Sequence, residues 1–257
     1  MKTVSAGNCT RFAAESLSHG GTPAPLWLAA FAESPLPVLD LKECSRLIVV
    51  APHPDDETLG LGATMTQLAA NGVHVQVICV SDGGAHRPGT SASERLRMGT
   101  IRRYELRRAT RLLNIPPPVL LDLPDGELAD HEGRITTKLT EILDVAGPGT
   151  WCAATWRGDG HPDHETAGRA ASAACELTGT TLLEYPVWMW HWAFPADEAV
   201  PWDRAYSVPA PGWASERKLR AAQCYRSQFE RSGDRAAPRL PGCVLPRLRA
   251  VGEVVFR

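Results

Sequence analysis

Two short segments hold most of the side chains able to do chemistry: His53-Pro54-Asp55-Asp56-Glu57 and His161-Pro162-Asp163-His164-Glu165. Imidazole and carboxylate together are a ligand mix that borderline-soft divalent metals such as zinc accept. Two imidazoles and one carboxylate fill three positions of a tetrahedral ion and leave the fourth for water, as in a catalytic zinc site. Zinc so held lowers the pKa of its water towards neutrality and polarises a carbonyl oxygen. A spare carboxylate is then needed for proton transfer and a spare imidazole for the developing oxyanion. These segments supply both. Residue type alone does not separate Asp55 from Asp56 as the ligand.

Such groups work only if something rigid brings them together. Leu47 to Val50 is a short apolar run that reads as a buried strand, halted by Pro52-His53-Pro54. The sequence predicts a helix from Glu57 to Asn71, a strand over Val73 to Val80, and a long helix from about Ser93 to Asn114 with Ser93 as N-cap. On that helix Met98, Ile101, Ala109, Leu112 and Leu113 mark the buried face, and Arg102 and Glu105 fall inside it. Val119 to Asp122, Trp151 to Thr155 and Thr180 to Pro186 read as further strands. Helices are expected from Glu132 to Ala146, up to Thr178, and from Ser215 to Gln228, with an edge strand within Arg247 to Phe256.

This alternation predicts an α/β fold: a Rossmann-like, mostly parallel sheet with helices on both faces. Both histidine segments then follow strand ends, where open α/β sheets place their ligands. Provided that strands one and four are neighbours, the two segments face one crevice. Residues 1–40 read as an N-terminal extension packed on the domain or covering its cleft, and 41–257 as one domain.

The two motifs, His53-Pro-Asp-Asp-Glu57 and His161-Pro-Asp-His164, resemble the LmbE-like, or PIG-L, family of zinc-dependent N-acetylglucosamine deacetylases. The likeness runs from about Leu47 to Gln228. It takes in the spacing of Arg102, Glu105 and Ala109, the Leu123-Pro-Asp-Gly126 turn, and Lys218, Ala221, Ser227 and Gln228. The resemblance implies zinc ligands His53, Asp56 and His164, with Fe2+ or another divalent metal as alternatives. It implies Asp55 as general base, His161 at the oxyanion or the departing amine, and Asp163 orienting the His161 ring. The reaction implied is hydrolysis of an acetamide to acetate and a free amine. The substrate would be an N-acetylglucosaminyl compound, such as an antibiotic or other natural-product glycoside, or a thiol-precursor or inositol-linked sugar.

Other residues are read more locally. Arg102 and Glu105 are expected to form a buried ion pair that braces the site. Asp82 and His86, in the loop after the second strand, are candidate substrate contacts. Trp188, Trp190 and Trp192 alternate as in a strand, and five of the eight tryptophans lie between positions 188 and 213. This aromatic segment, about 186–213, is read either as a second core or dimer interface or as a substrate wall, with Trp190 and Trp192 as its contacts. Gly60-Leu61-Gly62 lacks the third glycine of a dinucleotide fingerprint in register and is expected to let the helix approach the sheet.

Bulk properties narrow the classes. A chain of 257 residues with 44% apolar and 22% charged content suits one soluble α/β domain. A net charge of −2 gives no footprint for nucleic acid or anionic membrane. Absence of a signal-like or membrane-spanning run points to a cytoplasmic enzyme with reduced cysteines and a small-molecule glycoside as partner. A non-haem iron oxygenase uses the same two-His-one-carboxylate set, yet its usual β-rich barrel disagrees with the strand-helix alternation. A binding module without catalysis fits less well, because the proton-transfer set Asp55, His161 and Asp163 is intact.

Overall fold

The computed structural model describes residues 7–85, 89–230 and 238–257. At its centre is β1 (Arg46–Ala51), buried along all but its first residue. Leu47 and Val49 point into one core and Ile48 and Val50 into the other. A strand covered on both faces needs apolar groups at every position, which explains the unbroken run in the sequence. Parallel to β1 on its two sides lie β2 (His74–Ser81) and β4 (Thr150–Thr155). The register runs from Arg46 opposite Thr150 to Val50 opposite Ala154, so β1 and β4 end side by side.

With β3 (Val119–Leu123), β5 (Thr181–Tyr185), β6 (Ala205–Ser207) and β7 (Val254–Phe256), the sheet has seven strands among the described residues, in the order β3-β2-β1-β4-β5-β7-β6. The first five are parallel, and the last two run antiparallel to their neighbours. The chain reverses its direction of travel across the sheet between β1 and β4, the switch point at which such sheets open a crevice. The described residues form this sheet and no β-rich barrel.

Helices α1 (Gly7–Ala14) and α2 (Ala24–Glu33) precede the sheet. One face is covered by α3 (Asp56–Ala70), α4 (Ala92–Leu113) and α8 (Gly212–Ala222), the other by α5 (Glu132–Asp144) and α6 (Pro162–Thr178). The short helices α7 (Met189–Trp192) and α9 (Arg226–Phe229) and the longer α10 (Val244–Val251) complete the described chain. Among the described residues, no helix is long and apolar enough to cross a membrane.

Several expectations need correction. Helix α4 is capped by Ser91, not Ser93: Ser91 and Glu94 form a reciprocal capping box. Its buried stripe runs through Arg102, Glu105, Leu106, Ala109 and Leu113, while Leu112 is exposed. The helix expected over Ser215 to Gln228 breaks after Ala222. Residues 247–256 are not an edge strand: α10 ends at Gly252 (φ 76°), and β7 then enters between β5 and β6.

The largest departure lies at Trp188 to Trp192, which form a helical turn, not a strand. Asp159, wholly buried, accepts the backbone N–H groups of Val187 (2.9 Å), Trp188 (3.0 Å) and Met189 (2.9 Å). These donors at the start of α7 would otherwise lack partners, so a distant carboxylate overrides the local alternation.

Candidate metal centre and active site

The loop leaving β1 carries its chemistry in a constrained backbone. Asp55 has φ 135°, outside the ordinary range for a residue with a side chain. Its N–H donates to Glu57 Oε2 (3.1 Å), and Glu57, fully buried, also accepts from the Tyr225 hydroxyl. Helix α3 starts at once, with the His53 N–H donating to Asp56 Oδ2 (3.0 Å). It can lie this close to the sheet because position 60 is glycine. A Cβ there would sit 2.3 Å from the Tyr185 ring, whose hydroxyl donates to Val50 O (2.8 Å).

The loop leaving β4 brings the second histidine segment alongside. His53, Asp56 and His164 each present one ligand atom, and these atoms lie within 4.8 Å of one another in a buried cluster. His164 Nδ1 lies 2.8 Å from Asp159 Oδ2, so Nδ1 carries the proton and Nε2 keeps its lone pair. Among the described residues Nε2 is buried without a hydrogen-bond partner, although Asp56 Oδ2 is only 3.2 Å away. His53 is held in a complementary way. Its Nε2 faces Asp163 Oδ2 and Asp125 Oδ1, each at 3.1 Å, which turns Nδ1 towards Asp56 Oδ2 at 3.2 Å. Two lone-pair nitrogens and a carboxylate oxygen converging in a dry site fit a divalent cation.

Charge in the site is strongly coupled. Burial opposes a charge on His164, yet Asp56 and Asp159 outweigh it and lift its pKa to about 9. His53 is likewise held well above the ordinary imidazole value, its burial outweighed by Asp125, Asp163 and Asp56. A cation competes with those protons for the same lone pairs. Burial raises the Asp55 carboxyl, Arg102 pulls it back and Asp56 adds to the rise, leaving it at about 7. His161 is pushed well below the usual value by burial and by His164 and His53. Its Nδ1 accepts the Asp163 N–H (3.3 Å), so the neutral ring carries its proton on Nε2.

A cavity of about 220 Å³ opens onto His53, Asp55, Asp56, Arg102, Asp125 and His161. Phe12, Leu17, Val187, Trp188 and Leu240 line the rest of it, with Gln228 and Arg239.

Comparison with known proteins then places the chain. Residues 48–175, which contain both histidine segments, match the family described as PIG-L: GlcNAc-PI de-N-acetylase. The chain belongs to the PIG-L, or LmbE-like, family. A diacetylchitobiose deacetylase of Thermococcus kodakarensis is 27% identical over 139 residues, covering 53% of this chain and 51% of that protein. The 1D-myo-inositol 2-acetamido-2-deoxy-alpha-D-glucopyranoside deacetylase of Rhodococcus opacus is 31% identical over 188 residues, covering 62% of this chain and 59% of that protein. The matched part thus spans between half and three-fifths of these curated relatives. The zinc-inhibited form of teicoplanin deacetylase shares the fold, with a TM-score of 0.57 at 20% identity, covering 72% of this chain and 85% of that one.

Within this PIG-L chain, several side chains do other work than the sequence suggested. Arg102 and Glu105 are not paired with each other. Arg102 Nη2 donates to Asp55 Oδ1 (3.0 Å) and Pro54 O (2.7 Å), and Glu105 accepts the N–H (2.8 Å) and hydroxyl (2.6 Å) of Ser227. They sit one turn apart but face different neighbours. Asp163 meets the His161 ring through its backbone N–H (3.3 Å), while its carboxylate holds His53 and accepts the Gly126 N–H (2.8 Å). Asp82 folds onto its own loop, accepting the Gly84 N–H (2.8 Å), and does not line the cavity. His86 lies outside the described residues.

Trp190 packs edge-on against Trp27 (5.0 Å) in the core, and Trp192 donates Nε1 to Asp159 O (2.7 Å). Neither lines the cavity, because the helical turn directs them inward; Trp188 is the tryptophan that does. Asp125 and Asp159, which hold the two imidazoles, have no role in the sequence reading, although Asp125 lies in the turn that the resemblance takes in. Asp125 had a signal, being a carboxylate in a turn at a strand end. Phe12 and Leu17 had none.

Proposed function

We propose that the protein is a zinc-dependent N-deacetylase of an N-acetylglucosaminyl glycoside, with His53 Nδ1, Asp56 Oδ2 and His164 Nε2 as metal ligands. The observation that carries this reading is the convergence of those three buried atoms beside an Asp55 carboxyl lifted to about 7. A divalent cation bound there supplies Lewis acidity, acidifying water and polarising the amide carbonyl.

The chain's own groups account for the rest. Asp55, held at one oxygen by Arg102, takes a proton from the attacking water. Neutral His161 offers its Nε2–H to the amide oxygen as charge develops there. The proton gained by Asp55 leaves on the amine as the C–N bond breaks, so that acetate and a free amine result. Asp125 and Asp163 keep His53 in its ligating tautomer, and Asp159 does the same for His164. The relatives deacetylate sugar amides by their names, which supports the same bond as the target here. The apolar part of the cavity supports a glycoside with a bulky natural-product acceptor.

The test is metal analysis of the purified protein together with an acetate-release screen over N-acetylglucosaminyl conjugates. Zinc near one per chain and acetate from at least one conjugate is the expected result. Absence of acetate from every conjugate with metal present would overturn the reading.

A further inference from the structure

Part of the cavity wall comes from outside the matched residues 48–175: Phe12 and Leu17 precede them, and Trp188 and Leu240 follow. The Phe12 ring is half-buried. It lies 5.0 Å from Trp188, tilted by 42°, and 6.1 Å from His161.

The segment that carries Phe12 is fastened at several points. Asn8 Nδ2 donates to Gly158 O (2.9 Å), in the loop that leads into His161. Arg11 pairs with the buried Asp197, and its guanidinium lies 4.5 Å over the Trp192 ring. Arg247 donates to Gly20 O (2.7 Å) and Thr22 O (3.1 Å). The catalytic loop is shaped to receive it. At Gly160 (φ 91°), a Cβ would lie 2.9 Å from Phe12 Cβ and 3.1 Å from Asn8 O. Glycine is required there on two counts, backbone angle and the crossing of α1.

We infer that residues 7–22 form a fixed wall of the active site, and that Phe12 with Trp188 selects substrates whose sugar carries an apolar, planar acceptor. The inference rests on the deacetylase reading above and names the acceptor class for that site. Hydrolysis of the acetamide uses Asp55, His161 and the metal ligands, and the sugar's hydroxyls match polar lining groups such as Asp125 and Gln228. None of these needs two partly exposed aromatic rings. Rings left facing a cavity gain from a flat apolar group that covers them, through burial and edge or offset stacking.

The test compares phenyl with methyl N-acetylglucosaminide, the same sugar on a large and a small acceptor. Binding is measured by calorimetry and acetate release as kcat/KM, on the full-length protein and its variants. The wild type should prefer the phenyl compound. Phe12→Ala should cut the phenyl-to-methyl ratio about tenfold, mainly through KM, the order expected for loss of one aromatic contact. Phe12→Tyr should keep the ratio. Arg11→Ala, which unfastens the segment without touching the cavity, should lower it. Phe12→Leu retains apolar packing and replaces the alanine variant if that one does not fold. A ratio unchanged by loss of the ring, equal loss on both compounds, or no wild-type preference would overturn the inference. Preferential phenyl binding that depends on Phe12, without acetate release, would sink the deacetylase reading and leave the wall standing. Acetate release with a ratio indifferent to Phe12 would do the reverse.

Discussion

Arg102 donates from Nη2 to Asp55 Oδ1 at 3.0 Å, and both side chains are about 6% exposed. A buried carboxylate left alone would be neutral, whereas one fully neutralised by a guanidinium would be too weak a base. Arg102 divides its donors between Asp55, Pro54 O and Gly83 O, so its pull on Asp55 is partial. The carboxyl settles at about 7, the range suited to proton transfer near neutral pH.

The pH dependence follows from that balance. In its proposed role as general base Asp55 must be the carboxylate, so kcat/KM should be retained above about pH 7 and lost as pH falls through it. Arg102→Gln removes the group that lowers the Asp55 pKa, and the acid limb of the profile should move to higher pH. Asp55→Ala should keep its metal while hydrolysis falls by about two or more orders of magnitude. Full activity in that variant would exclude the proposed role.

Asp159 ties His164, the proposed metal ligand, to the aromatic segment, since its carboxylate serves both His164 Nδ1 and the N–H groups of residues 187–189. Asp159→Asn keeps the shape but puts an NH2 group where an acceptor is needed. Metal affinity should drop by about 10–100-fold, as for other groups that orient a ligating histidine. Competition with a chelator measures this. Stability should fall as well, by about 1–3 kcal/mol for each donor left unpartnered, in a denaturant titration.

Gly60 tests how closely α3 is packed. Gly60→Ala puts a methyl group 2.3 Å from the Tyr185 ring, which cannot retreat while its hydroxyl is bonded to Val50 O. Overpacking of this kind costs about 1–3 kcal/mol. Because α3 begins at Asp56, the variant should also lose activity at temperatures where it remains folded. A variant as stable and active as the parent would contradict the packing.

The sheet and the two histidine loops were legible because they rest on local signals. Unbroken apolar runs mark buried parallel strands, and Pro-His-Pro or His-Pro-Asp punctuation marks their ends. Pairing of β1 with β4 was a condition of that reading, and the structure meets it. Long-range polar contacts were what escaped. Trp188 to Trp192 alternate as a strand should, yet the Asp159 carboxylate, remote in sequence, caps them into a helical turn. Arg102 and Glu105 share a helical face, but that spacing does not reveal that their partners are Asp55 and Ser227. Phe12 lies among Gly, Ser, Thr and Ala residues that announce nothing about a cavity on the far side of the chain.

The central claim is that positions 53, 56 and 164 hold one cation that Asp55 does not touch. Metal content per chain in the wild type, His164→Ala and Asp55→Ala, measured on equally folded protein after dialysis, tests it most directly. One ion in the wild type and in Asp55→Ala, with almost none in His164→Ala, is the predicted result. An undiminished ion in His164→Ala, or its loss in Asp55→Ala, would contradict the account.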